Sequence, residues 1–134
     1  MLFRSHVCFD GDRLELVGNA GWLGRGGCKP AADEQPIDAA AFVLAFRAAH
    51  LATGDPHYLR RMRASFAWFL GANRLELPLY DFATAGCRDG LGASQPNQNQ
   101  GAESTLCFLM SLLKMLELAG EGLEHAPAPE PASH

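Results

Sequence analysis

The sequence predicts a mainly α fold, built of antiparallel helical hairpins behind a short N-terminal β-ribbon. Three observations carry that prediction. Of 134 residues, 48% are apolar and only 19% are charged, the balance of a chain that buries a core. Three long segments have helical patterning with recognisable start and stop signals. Two-residue alternation is confined to the first 17 positions, apart from a short stretch near residues 77–80.

Taken in chain order, residues 2–9 (LFRSHVCF) and 13–17 (RLELV) flank Asp10-Gly11-Asp12, which reads as the turn of a ribbon. Five glycines between positions 18 and 27 then predict irregular backbone, of the kind that lets a chain or ligand approach closely. Pro36 opens the first helix, expected over 36–53, with Gly54 just past its end. Only Asp38, Arg47 and His50 interrupt its apolar or small residues before Thr53, so coverage on nearly every side is expected. Asp55 caps a second helix that starts at Pro56 and runs to about Leu70, with Tyr58, Met62, Phe66 and Phe69 on one stripe. His50 is expected as a core histidine with its hydrogen bonds met.

Gly71 and Asn73 end the second helix, and residues 74–96 form a long connection with a short strand expected near Leu77–Tyr80. A structureless loop above about 15 residues is uncommon in a compact domain and often functional. The third helix is expected over 101–119, rich in leucine and methionine. After Gly120 the proline-, alanine- and glutamate-rich tail, 121–134, is expected to be disordered, so the domain is placed at 1–120.

Net charge is −4, and the basic residues are scattered apart from Arg60, Arg61 and Arg63. Neither a nucleic-acid footprint nor a polybasic membrane patch is expected. Cys8, Cys28, Cys87 and Cys107 stand apart, with no CxxC or CxxH spacing. They read as reduced, buried small hydrophobes, and no metal or cofactor is expected. The N-terminus lacks a charged-then-apolar signal architecture and no stretch approaches the ~20 apolar residues of a membrane span, which predicts a cytoplasmic protein.

Three helices joined as hairpins run up, down and up, bringing four polar segments to one end: 18–32, ADEQ before Pro36, 74–96 and NQNQ before Gly101. These collect the carboxylates Asp33, Glu34, Asp81, Asp89 and Glu103, and the amides Gln35, Asn97, Asn99 and Gln100. Trp22 and Tyr80 add aromatic faces, and Arg25 and Arg88 add cations that orient carboxylates or meet an anionic group. Carboxylates and amides match paired hydroxyls while aromatic rings stack on a pyranose, so a neutral saccharide is the expected partner.

Glycoside cleavage needs one carboxyl protonated and a second ionised. Asp33, Glu34 and Glu103 lie at or near helix N-termini, where the dipole favours the ionised form, so they suit a base, a nucleophile or an acceptor. Asp89, in the loop, is the candidate proton donor. Each residue also has a plainer reading. Asp33 and Glu34 can cap the first helix, Asn99 can cap the third, and Glu103 can serve only the helix dipole. Trp22 can anchor the core, Tyr80-Asp81 can be a turn with a buried ring, and Arg88-Asp89 can be an internal salt bridge.

Five motifs, in order, carry a family resemblance over residues 17–118. They are VGNAGWLGRGG, DEQPIDAAA, the helix pair across ATGDPHYL with ASFAWFLGAN, LPLYDFATAGCRDGL, and NQNQGAESTLCFLMSLL. The chain resembles the C-terminal part of a bacterial carbohydrate-active family of six-hairpin glycosidase type, often described as glycosyltransferases. The resemblance implies a partial (α/α) toroid with a sugar-binding face at its helix ends, supporting glycoside hydrolysis or glycosyl transfer in complete homologues. Glu34 departs from the family, which tends to read DQQPIEA where this chain has DEQPIDA. A full toroid has about twelve helices against three here. The chain is therefore expected to self-associate, or to pair with another chain, through exposed apolar helix faces, and turnover by it alone is not expected. The alternatives are a non-catalytic helical scaffold or interaction module, and a degraded reading frame.

Overall fold

The computed structural model describes residues 7–124, and among these the protein is mainly helical, with two small antiparallel hairpins. Strands β1 (Phe9–Asp10) and β2 (Arg13–Leu14) pair Phe9 with Leu14 and Asp10 with Arg13. The turn is therefore Gly11-Asp12, with Gly11 at φ +59° in the first central position, the arrangement of a tight II′ turn. The ribbon is shorter than expected over 13–17, and residues 2–6 lie outside the described residues. Past β2 the chain has another partner, because the Leu16 N–H donates to the Glu34 carboxylate at 3.2 Å.

Helix α1 spans Pro36–Thr53, the bounds its sequence signals mark. Gly54, at φ +72°, closes it by donating its N–H to the His50 carbonyl at 2.7 Å. Asp55 then caps α2 (Pro56–Ala67), its carboxylate accepting the His57 N–H at 2.8 Å. The expected helix to Leu70 tightens into a 3₁₀ turn over Trp68–Leu70, ended by Gly71 at φ +110°. Buried Asn73 secures that exit, donating to the carbonyls of Trp68 (2.9 Å) and Leu77 (2.7 Å) and accepting from the Leu75 N–H. The expected strand near 77–80 is displaced to β3 (Tyr80–Asp81), which pairs with β4 (Gly86–Cys87).

Helix α3 spans Ala102–Glu124, so Gly120 is not the stop that the sequence suggested. Arg47 explains the extension. It is buried on α1 and forms an ion pair with Glu121, two residues beyond the expected end, and an unpaired guanidinium there would be costly. Residues 125–134, most of the expected tail, lie outside the described residues.

The two-residue α1–α2 connection makes that pair antiparallel, and α3 runs alongside α1 in the same direction. Ala39 and Ala40 share a core cluster with Cys107 and Phe108, while Val43 and Phe46 share one with Met115 and Leu118. Trp68 and Phe69 are fully buried beneath this layer, and Phe108 stacks on Phe66 and, at 4.1 Å between ring centres, on Tyr80. Full burial of one such aliphatic or phenyl side chain stabilises by about 1.5–3 kcal/mol.

Three sequence expectations are corrected by burial. Ile37 and Leu51 of α1 are exposed, so that helix is not covered all round; α3 exposes Leu106, Leu109, Met110, Leu113 and Leu116 along one face, the exposed apolar face that the sequence led one to expect. His50 is half-buried at the α1–α2 turn, with Nδ1 3.0 Å from the Asp55 carbonyl, not in the core. Cys8, Cys87 and Cys107 are buried but Cys28 is exposed. Burial pushes the Cys87 thiol up to about 12 and raises that of Cys107.

Candidate functional site: a polar groove at one end of the helices

The parallel course of α1 and α3 sets their N-termini at the same end, and the exit of α2 is tied to that end by Glu34. Its carboxylate accepts from the Trp68 indole (2.9 Å), the Leu16 N–H (3.2 Å) and the Arg74 guanidinium (3.1 Å). At 1% exposure, Glu34 is a buried junction of four segments and is not a surface available to a ligand. It does not cap α1 either. Gln35 occupies the cap position without a side-chain capping bond, and Pro36 has no N–H to satisfy.

The backbone of Glu34 pairs with Leu91 in both directions, at 3.0 and 2.8 Å, which draws the 90–98 segment across the end of α1. Arg74 reinforces this by donating to the carbonyls of Gly92 (2.6 Å) and Ala93 (3.0 Å). A shallow groove of about 520 Å³ results, lined by Asp33, Gly90 to Pro96 without Leu91, Asn97 and Gln98. Asp33 stands on its rim, exposed and in the left-handed region at φ +64°, with its carboxylate accepting the Gln35 amide at 2.7 Å. Gly90, at φ +154°, passes so close that a Cβ there would lie 2.9 Å from the Glu34 carbonyl and 3.2 Å from that amide.

Most of the other expected site residues hold loops together. The Asp81 carboxylate accepts from the Ala83 N–H (2.9 Å), the Gln100 amide (3.0 Å) and Arg88 (3.4 Å), while Thr84 donates to the Gln100 amide oxygen (2.7 Å). The Ala83 backbone bond leads in holding Asp81 below the usual carboxylate range, with Thr84, Gln100 and Arg88 adding to it against some desolvation. The expected Arg88–Asp89 salt bridge is replaced: Arg88 takes Asp81 and Gln98, the latter at 2.6 Å. Asp89 caps α3 instead, accepting the Gly101 N–H at 2.6 Å and the Ser104 hydroxyl at 2.8 Å. Asn99, expected as that cap, donates its N–H to the Asn97 side chain and offers its carbonyl to the Asp89 N–H. Glu103 is exposed in the first turn of α3, and Tyr80 is half-buried on Phe108.

Trp22 is 97% exposed, so it is not a core anchor. With Arg25 it lines a second, larger groove of about 1380 Å³, between the glycine-rich loop and the Asp38–Phe42 stretch of α1. The sequence reading missed Arg74 and Trp68, which carry the junction, and named Asn73 only as a helix stop. Each lies where the second helix stops, and their signal is compositional: an indole, an amide and a guanidinium cannot be left unsatisfied where a chain turns back on its core. It also missed Thr84, an ordinary polar loop residue with no spacing to mark it, whereas Gln98 lies in the NQNQ stretch and locks the loop through Arg88 and the Pro96 carbonyl. Among the described residues no helix is long and apolar enough to cross a membrane. In comparisons with known proteins, no family model and no curated protein matches the chain.

Proposed function

We propose that the groove at Asp33 binds a neutral saccharide. The observation that carries this reading is Asp33 itself. A non-glycine residue in the left-handed region costs roughly 1–2 kcal/mol, and here the cost sets a carboxylate, latched to the Gln35 amide, on the rim of an open polar groove. Asn97 and Gln98 also line the groove; the Gln98 amide is held by Arg88 and the Pro96 carbonyl, so the Asn97 amide group is the side-chain donor on offer. A carboxylate acceptor and an amide donor lining one groove suit the hydroxyls of a sugar. Asp33 is a hydroxyl acceptor in this reading, and Asp89 is committed to the helix it caps.

The wider proposal, from the motif resemblance, is that α1–α3 form part of an α/α toroid. Glycoside hydrolysis or glycosyl transfer belongs to the completed ring, not to this chain alone. The rival reading is a non-catalytic interaction module, which the exposed leucine face of α3 favours. Titration of the ¹⁵N-labelled protein with glucose and mannose discriminates between them. The saccharide reading expects the amides of Asp33, Asn97 and Gln98 to shift at millimolar sugar and not to shift in Asp33→Ala. Silence of all three in the wild type rejects it.

A further inference from the structure

Resting on the reading of the Asp33 groove as a saccharide site, we infer that its ligand is an oligosaccharide. One sugar unit sits at Asp33, and a further ring stacks on Trp22. The two grooves are joined by a pair of hydrogen-bonded backbone segments. Asn19 lines the larger groove, and its backbone N–H donates to the Asp33 carbonyl at 3.0 Å, beside Ala20 N–H to the Ala32 carbonyl at 3.3 Å. That pair is held close by Gly18, where a Cβ would fall 1.8 Å from the Ala32 oxygen. A ligand that reaches from the Asp33 groove to Trp22 crosses this paired backbone at Asn19.

The chemistry of the second groove suits a pyranose ring. Trp22 exposes 97% of its surface where a tryptophan ordinarily buries about 150–250 Å², leaving an aromatic face free to stack. Val17, Leu23 and Phe42 supply apolar flanks, and Asn19 and Arg25 supply polar edges for ring hydroxyls. At about 1380 Å³ the groove alone exceeds the roughly 300–1,000 Å³ of an ordinary small-molecule site, more room than one sugar unit needs.

The test compares monosaccharides (glucose, mannose) with the matching trisaccharides (maltotriose, mannotriose) on the wild type, Trp22→Ala and Trp22→Phe. Affinity is read from the Asp33 and Asn97 amides, and stacking from the Trp22 indole N–H. The expected results are a gain of about tenfold from mono- to trisaccharide, and its loss in Trp22→Ala. Trp22→Phe should retain most of the gain. If monosaccharides bind but trisaccharides bind no tighter and leave the indole unmoved, the two-groove inference is overturned while the Asp33 reading stands. If no sugar of either length moves the Asp33 and Asn97 amides, both are overturned.

Discussion

Glu34 and Asp33 are neighbours with opposite fates, and the difference is set by which way the backbone turns between them. Asp33, in the left-handed region, leaves its carboxylate at the surface; Glu34, in an extended bridge with Leu91, sends its own inward to Trp68 and Arg74. A buried carboxylate with three donors is a structural commitment, since removing its charge strands a guanidinium and an indole. Glu34→Gln is expected to lower stability by about 3 kcal/mol, read as a reduced urea midpoint. An unchanged midpoint would contradict the junction role. A small loss there would mean that Arg74 can be satisfied by the Gly92 and Ala93 carbonyls alone.

The connection from Gly71 to Gly101 behaves as an ordered element in its own right. Asn73 ties its start, Asp81 its hairpin, and Asp89 its join to α3, each side chain accepting or donating two or more bonds. The amides of NQNQ largely serve this order, with Gln98 and Gln100 bound to Arg88 and Asp81. Asp81 makes the hairpin sensitive to acid. Its carboxyl is held below the ordinary value, so the ionised form is favoured when folded. Its contribution is complete above about pH 3.9 and lost as pH falls through the lower folded value. The Ala83 and Thr84 amides should therefore shift and lose exchange protection only below about pH 4, and Asp81→Asn should abolish that step. A transition centred at or above the ordinary carboxylate value would refute the assignment.

Taken whole, the molecule buries one side of its helices well and leaves another bare. Leu106, Leu109, Leu113 and Leu116 recur at three- and four-residue intervals on α3, with exposures of 42–59%, and Met110 lies beside them. That is the spacing of a helix-pairing seam. A contiguous apolar patch beyond a few hundred Å² is uncommon on a monomer, so concentration-dependent association is expected in sedimentation velocity. Leu113→Glu should shift the distribution toward monomer without altering the helical circular dichroism. A wild-type protein that stays monomeric throughout the micromolar range would count against both the toroid proposal and the interaction-module reading.

Local signals determined much of the layout. Pro36, Gly54, Asp55 and Pro56 mark the ends of α1 and α2 because proline, glycine and a capping carboxylate act within one turn of backbone. The gathering of polar segments at one end was also legible, since short connections force neighbouring helices antiparallel. What each polar residue does there was not legible. Asp33 at the surface against Glu34 in the core, Asp89 in place of Asn99 as the cap of α3, and Arg88 on Asp81 instead of Asp89 are choices among chemically equivalent partners. Gly120 failed as a stop because Glu121, the residue after it, is held by a buried arginine 74 residues before it in sequence. Such choices depend on distances between segments remote along the chain, and only the packed tertiary structure decides them.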